Sequence, residues 1–264
     1  MCAPSGSLGI VDSTIARIAS LVLSAVLVVG VLASSAVAET KRYKIGRSVD
    51  GRPIQVVERG DLSSSAKLLV VGNIHGNERA GVAVIQRLRR SRALRGVHLY
   101  LIRTANPDGM RADTRQNGRG VDLNRNFNHR WKAIGERWDT YYSGPRPWSE
   151  PETRAIRNFV LDVRPRITIY YHQAMSLVTK LGGSKDRRIQ RRYARIVDLP
   201  LRRLWRPGTA TRWQNKRLGR TTPFVVELPG GAMSGQEVRR HARAVRTIAR
   251  MVRLKNSVGR RSRQ

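Results

Sequence analysis

The chain has 264 residues, of which 51 are Lys or Arg and 18 are Asp or Glu, a formal net charge of +33. With 40% hydrophobic residues, the length suits one large α/β domain and excludes wholesale disorder, while a single cysteine, Cys2, excludes both an intramolecular disulfide framework and a cysteine-built zinc cluster. A GC-rich coding bias accounts for arginine outnumbering lysine but not for the scarcity of acids, so a polyanionic neighbourhood is inferred.

Arg17 is followed by the uncharged stretch 18–38, which ends in the small-x-small pattern Ala36-Val37-Ala38. Residues 1–38 read as an export signal cleaved before Glu39. The alternative is an uncleaved membrane anchor, because the run is long enough to span a bilayer. Either way the working part is expected outside the cytoplasm, secreted or periplasmic and close to the cell wall.

Asp50-Gly51 between Tyr43-Lys44-Ile45 and Pro53-Ile54-Gln55-Val56-Val57 predicts a hairpin with a two-residue turn. Lys67-Leu68-Leu69-Val70-Val71 is a continuous apolar run, the form of a strand covered on both faces. The loop Gly72-Asn73-Ile74-His75-Gly76-Asn77-Glu78 follows, then a helix to about Arg90 with Val84, Ile85 and Leu88 on one face. Another strand covers about 97–102. The irregular stretch 104–147 is long enough to be a functional loop. Ser149 is expected to cap a helix beginning at Pro151, with Glu152 closing a capping box.

Ile167-Thr168-Ile169-Tyr170-Tyr171 predicts a buried strand ending at His172, and a basic helix spans about 187–196. Phe224-Val225-Val226 delivers Glu227. A last helix starts from a Ser234–Glu237 capping box, with Val238, Ala242, Val245, Ile248, Ala249 and Val252 as its apolar stripe. The segment 256–264 reads as a disordered basic tail. Strands alternating with helices indicate a single α/β domain over 39–255, with a mixed, mostly parallel central sheet covered by helices.

In open α/β sheets, sites form at the carboxyl ends of strands. His75 with Glu78, His172, and Glu227 each follow an apolar β run. Two imidazoles and a carboxylate suit one catalytic Zn2+ with a fourth position for water, and a further carboxylate can move that water's proton. His98 begins its strand, at the wrong end of the sheet. His241, in an arginine-rich helix, is expected to be solvated, and His129 stands as a minor alternative ligand. Arginines beside Asn124 suit bidentate capture of a carboxylate and stabilisation of an oxyanion.

Five motifs occur in order: His75-Gly76-Asn77-Glu78, Asn106-Pro107-Asp108-Gly109, Gly120-Val121-Asp122-Leu123-Asn124-Arg125-Asn126-Phe127, Ser149-Glu150-Pro151-Glu152-Thr153-Arg154 and Val226-Glu227-Leu228-Pro229-Gly230. Over about 41–255 the chain resembles the M14 family of zinc carboxypeptidases. The resemblance implies that His75, Glu78 and His172 bind one zinc ion and that Glu227 is the general base and acid. It implies that Arg115 steadies the oxyanion, and that Asn124 and Arg125 grip the terminal carboxylate of a peptide substrate. Digestive-type members carry a tyrosine about twenty residues before the catalytic glutamate, and none lies between Leu201 and Glu227. The chain is also similar to a compact bacterial branch that includes murein-tripeptide amidases, which release diaminopimelate from γ-D-glutamyl peptides.

Arg212, in the segment expected to shape the leaving-residue pocket, is a candidate for an acidic group on the substrate. The leading expectation is a monomeric, secreted zinc metallocarboxypeptidase acting on murein peptides, with electrostatic attachment to an anionic wall. The alternatives are a carboxypeptidase trimming ordinary protein C-termini and a non-catalytic binder of polyanion or cell wall. Aromatics at 6% argue against a specific nucleic-acid reader.

Overall fold

The computed structural model describes residues 1–2, 39–181 and 187–261, so the expected export signal lies almost entirely outside the described residues. Eight strands form one mixed sheet: β1 (Glu39–Arg47), β2 (Pro53–Gly60), β3 (Lys67–Val71), β4 (His98–Ile102), β5 (Ile167–Gln173), β6 (Leu177–Thr179), β7 (Leu201–Arg202) and β8 (Thr222–Leu228). Their order is β1-β2-β4-β3-β5-β8-β6-β7. The central β4-β3-β5-β8 strands run parallel. Antiparallel pairing joins β2 to β4 on one side and β6 to β8 on the other.

The helices are α1 (Ala80–Arg90), α2 (Pro107–Ala112), α3 (Pro151–Val163), α4 (Arg187–Val197), α5 (Ala210–Leu218) and α6 (Gly235–Arg261). Strand side chains alternate between two cores. Leu68, Val70, Ile169, Tyr171, Phe224 and Val226 pack with α1, α4 and α6. Leu69, Val71, Tyr170 and Val225 face Ile156 and Phe159 of α3 and Trp213 of α5. By the same parity, His172 and Glu227 project towards the α3/α5 side at the carboxyl ends of β5 and β8.

The first hairpin forms as expected, but with a wider turn. Arg47 pairs with Pro53, leaving the loop 48–52. Asp108 widens it by accepting from Ser48 Oγ at 2.6 Å and from the Asp50 N–H at 3.0 Å. Gly51 takes φ +77° there. The stretch 104–147 is less irregular than expected, for it contains α2, capped by Asn106 accepting from the Gly109 N–H at 2.9 Å.

The expected Ser149 cap is corrected. Glu150 occupies the cap position of α3 without a side-chain bond, and Pro151 opens the helix. Ser149 Oγ instead donates to Glu150 Oε1 at 2.7 Å, and Glu152 Oε1 accepts from the Val49 N–H at 3.0 Å. The Ser234–Glu237 capping box is present, with bonds of 2.7 and 3.2 Å. The backbone of α6 is helical through Arg261, so most of the expected tail 256–264 continues the helix. Propagating an established helix needs little from each added residue, and arginine and lysine are good helix formers. His241 is likewise corrected, since it is buried and its Nδ1 meets the Tyr193 hydroxyl at 2.9 Å.

Candidate active site

The loop from β3 to α1 delivers His75 and Glu78, and β5 delivers His172. Close packing sets the loop's path: a Cβ on Gly76 would collide with the Gly109 backbone of α2. His75 Nδ1 lies 2.8 Å from Glu78 Oε1, His172 Nδ1 lies 2.9 Å from Glu78 Oε2, and the two Nδ1 atoms are 3.1 Å apart. All three residues are buried. A tetrahedral zinc with bonds of ~2.0–2.1 Å separates its ligand atoms by about 3.3 Å, so the donor set and its spacing fit this metal.

Asp122, which carried no role in the sequence reading, orients this cluster. Its Oδ1 lies 2.9 Å from His75 Nε2, while its Oδ2 accepts from Arg115 Nη2 at 2.9 Å and from Nε at 3.2 Å. With Nε2 committed to Asp122, His75 presents Nδ1 to the metal position, as histidine ligands backed by a carboxylate do. Its place in the Gly-Val-Asp-Leu-Asn-Arg motif was the available signal. Burial would raise the Asp122 and Glu78 pKa values, but neighbouring histidines, with Arg115 and Arg125 beside Asp122, hold both well below the usual carboxylate range. Burial lowers the His75 pKa, yet Asp122 and Glu78 outweigh it and leave it raised.

Glu227 is the register partner of His172 across β5 and β8. Its Oε2 is buried without a hydrogen-bond partner among the described residues. One carboxylate oxygen is therefore free to accept a proton or a water.

Arg115 is fixed on three sides. Besides its bonds to Asp122, Nη1 donates to Glu78 Oε1 at 2.9 Å and Nε to the Thr140 carbonyl at 3.0 Å. Arg125 is buried, with Nη1 donating to the Asn124 carbonyl at 2.9 Å, and its ion-pair contact with Asp122 is 3.9 Å long. Burial lowers the Arg125 pKa, and Arg115 and Arg206 reinforce the effect against Asp122. A buried guanidinium so weakly compensated is suited to receiving an anion. The Asn124 amide bridges the site: Nδ2 lies 3.3 Å from His172 Nε2, and Oδ1 accepts from the Ala210 N–H at 3.1 Å.

One pocket is lined by all eight residues singled out from sequence: His75, Glu78, Arg115, Asn124, Arg125, His172, Arg212 and Glu227. Tyr141 and Arg206 join them, and no residue pattern announced either. Arg212 lies over the Trp205 ring at 5.3 Å, and Arg206 Nη1 donates to the Trp205 carbonyl at 3.0 Å. Neither arginine is ion-paired among the described residues. His129 stays outside the pocket. His98 is bound to Glu58 at 2.6 Å at the opposite end of β4.

A sequence model described as zinc carboxypeptidase, Peptidase M14, matches residues 31–216, and the chain belongs to that family. Glu227 lies beyond the matched residues. Murein peptide amidase A of Escherichia coli K12 is 31% identical over 152 residues, covering 53% of this chain and 61% of the relative. Carboxypeptidase SOL1 of Arabidopsis thaliana is 28% identical over 167 residues, covering 56% of this chain and 32% of the relative. The chain thus spans less than two thirds of the length of either. Among solved structures, a murein-tripeptide amidase from Escherichia coli O157 aligns with TM-score 0.62 and 23% identity, over 84% of this chain and 95% of that one. Carboxypeptidase A from Helicoverpa armigera aligns with TM-score 0.69 and 16% identity, over 81% and 68%. These structural likenesses bear on the fold.

Proposed function

We propose that this chain is an exported zinc-dependent metallocarboxypeptidase that hydrolyses the C-terminal amide bond of peptides, with the γ-D-Glu–diaminopimelate bond of murein peptides as its target. The observation that carries the reading is the meeting, in one pocket, of a His–Glu–His donor set, a glutamate with an uncommitted oxygen and a buried arginine short of a counter-ion. His75, Glu78 and His172 would hold zinc, which would supply Lewis-acid polarisation of the scissile carbonyl and make a water more acidic.

Glu227 takes the proton of the attacking water and hands it to the leaving amine. Arg115, immobilised by Asp122 and Thr140, sets a fixed positive charge where the oxyanion develops. Arg125, with Asn124 beside it, orients the terminal carboxylate. Arg212 and Arg206 receive the second carboxylate of diaminopimelate, a role supported by their lack of an ion-pair partner among the described residues. The names of the murein peptide amidase relatives support the substrate. An exported enzyme of charge +33 is also suited to attachment to an anionic wall.

The test is release of diaminopimelate from L-Ala-γ-D-Glu-diaminopimelate by the zinc-loaded chain, with Glu227→Gln as control. Release is expected from the parent, with kcat lowered about 10²–10⁴-fold in the control, the range for losing a general acid–base group. Cleavage of ordinary C-terminal peptides with none of the tripeptide would replace the murein substrate. Equal rates for the parent and the Glu227→Gln protein would remove the assigned role of Glu227.

A further inference from the structure

We propose that Tyr141 is a positioning residue for the substrate carboxylate, its ring holding the Arg115 and Arg125 guanidinium groups in place over the pocket. The inference rests on the carboxypeptidase reading above. The ring centroid lies 5.0 Å from the Arg125 guanidinium carbon and 5.5 Å from that of Arg115. Both separations fall within the reach of cation–π attraction. Tyr141 lines the same pocket and remains 48% exposed, so the ring stands at the mouth rather than in the core.

The loop that carries Tyr141 is tied to the arginine-bearing segment on both sides of the ring. Arg115 Nε donates to the Thr140 carbonyl at 3.0 Å, and the Asp122 N–H donates to the Tyr142 carbonyl at 2.8 Å. Gln116 Nε2 donates to the carbonyls of Trp138 and Asp139, each at 3.0 Å. The ring's place is therefore set by the same backbone that sets Arg115 and Asp122.

Arg125 feels the like charges of Arg115 and Arg206, while its ion-pair partner Asp122 is 3.9 Å away and already engaged by His75 and Arg115. A second fixed acid would relieve the repulsion but would occupy the donors that a substrate carboxylate needs. The face of an aromatic ring offsets part of the repulsion and leaves the guanidinium N–H edges free. The ring face, not the hydroxyl, is the working part.

The experiment uses the full chain, zinc-loaded, with Glu227→Gln present so that turnover is slowed about 10²–10⁴-fold during binding. Calorimetry measures Kd for L-Ala-γ-D-Glu-diaminopimelate and for N-acetyl-Ala-Ala-Glu, each as the free acid and as the C-terminal amide. Tyr141→Leu is expected to weaken free-acid binding about tenfold and to leave amide binding unchanged. Tyr141→Phe is expected to bind the acid within about twofold of the parent. Zinc content and melting temperature are followed in each variant.

An unchanged acid Kd in Tyr141→Leu overturns the proposal. So does equal weakening of acid and amide, or a Phe variant as weak as the Leu variant. If the parent binds neither peptide better as acid than as amide, this proposal and the carboxypeptidase reading both fall. The other adverse outcomes remove only the role of Tyr141.

Discussion

Asp122 does more for the site than its lack of direct contact with the metal position suggests. It fixes which nitrogen His75 offers, and it anchors Arg115 at two points. Asp122→Asn keeps the size but loses the charge, and zinc affinity is expected to fall about 10–100-fold, the usual cost of losing such a partner. Competition against a chromogenic chelator measures this, and an unchanged affinity would show that Asp122 does not orient His75. A different carboxylate couples stability to pH. Burial, reinforced by Glu150, raises the Glu152 pKa from 4.5 to about 7, despite bonds from the Val49 N–H and Asn117. The folded state therefore favours protonated Glu152. That contribution is complete below about pH 4.5 and is lost as pH rises through about 7. His241 works in the opposite sense: burial lowers its pKa from 6.5 to about 4, so its contribution is present above about pH 6.5 and lost as pH falls towards 4. The two partly cancel in the parent, so the informative quantity is the difference between parent and variant. Glu152→Gln is expected to gain on the parent by roughly 1–3 kcal/mol between pH 4.5 and 7.5, read from urea unfolding at each pH. A pH-independent difference would refute the assignment.

At the scale of elements, what could be read in advance depended on how local the signal is. The largely apolar runs 67–71 and 167–171 lie in β3 and β5 because strands covered on both faces read as near-continuous hydrophobic runs, and their short length and β-branched or aromatic residues mark them as strands. The ends of those strands placed His75 and His172, so the residues of the His–Glu–His cluster were legible too. The register that sets His172 beside Glu227 was not, because the partner of β5 is β8, which lies far along the chain. The Ser149 cap failed for a related reason. Its hydroxyl donates to Glu150 and also accepts from Asn126 Nδ2 at 2.8 Å, a residue of the Gly-Val-Asp-Leu-Asn-Arg-Asn-Phe motif, and such tertiary bonds outcompete a local capping box. Tyr141 and Arg206 sit on loops, where no period marks the face that points inward. Only the folded loop, pinned by Arg115 and Gln116, brings Tyr141 over the pocket.

Across the whole molecule, the surplus arginines separate by position. Helix α1 begins beside the site, where the Ala80 N–H donates to Gln173 Oε1 at 2.9 Å, and runs back to feed β4 at the opposite end of the sheet. Two grooves meet at that far end and share Arg90. Arg42, Arg59 and Arg89 line one, and Arg243, Arg246 and Arg250 are among those lining the other, with no acid in either among the described residues. Burial lowers the Arg89 pKa, and Arg42, Arg103, Arg59 and Arg90 lower it further, the mark of a cationic cluster without counter-charge. A polymer with repeating anionic groups would relieve this repulsion along both grooves while leaving the pocket at the other end open to peptides. Attraction of this kind weakens as the screening length shortens, from roughly 14 Å near 50 mM salt to roughly 4 Å near 500 mM. Co-sedimentation with isolated anionic cell walls is therefore expected to fall steeply over that range. Combined Arg89→Gln, Arg90→Gln, Arg243→Gln and Arg246→Gln replacement should reproduce the loss at low salt without changing turnover of a soluble peptide. Wall binding indifferent to both salt and these replacements would separate the chain's charge from its attachment.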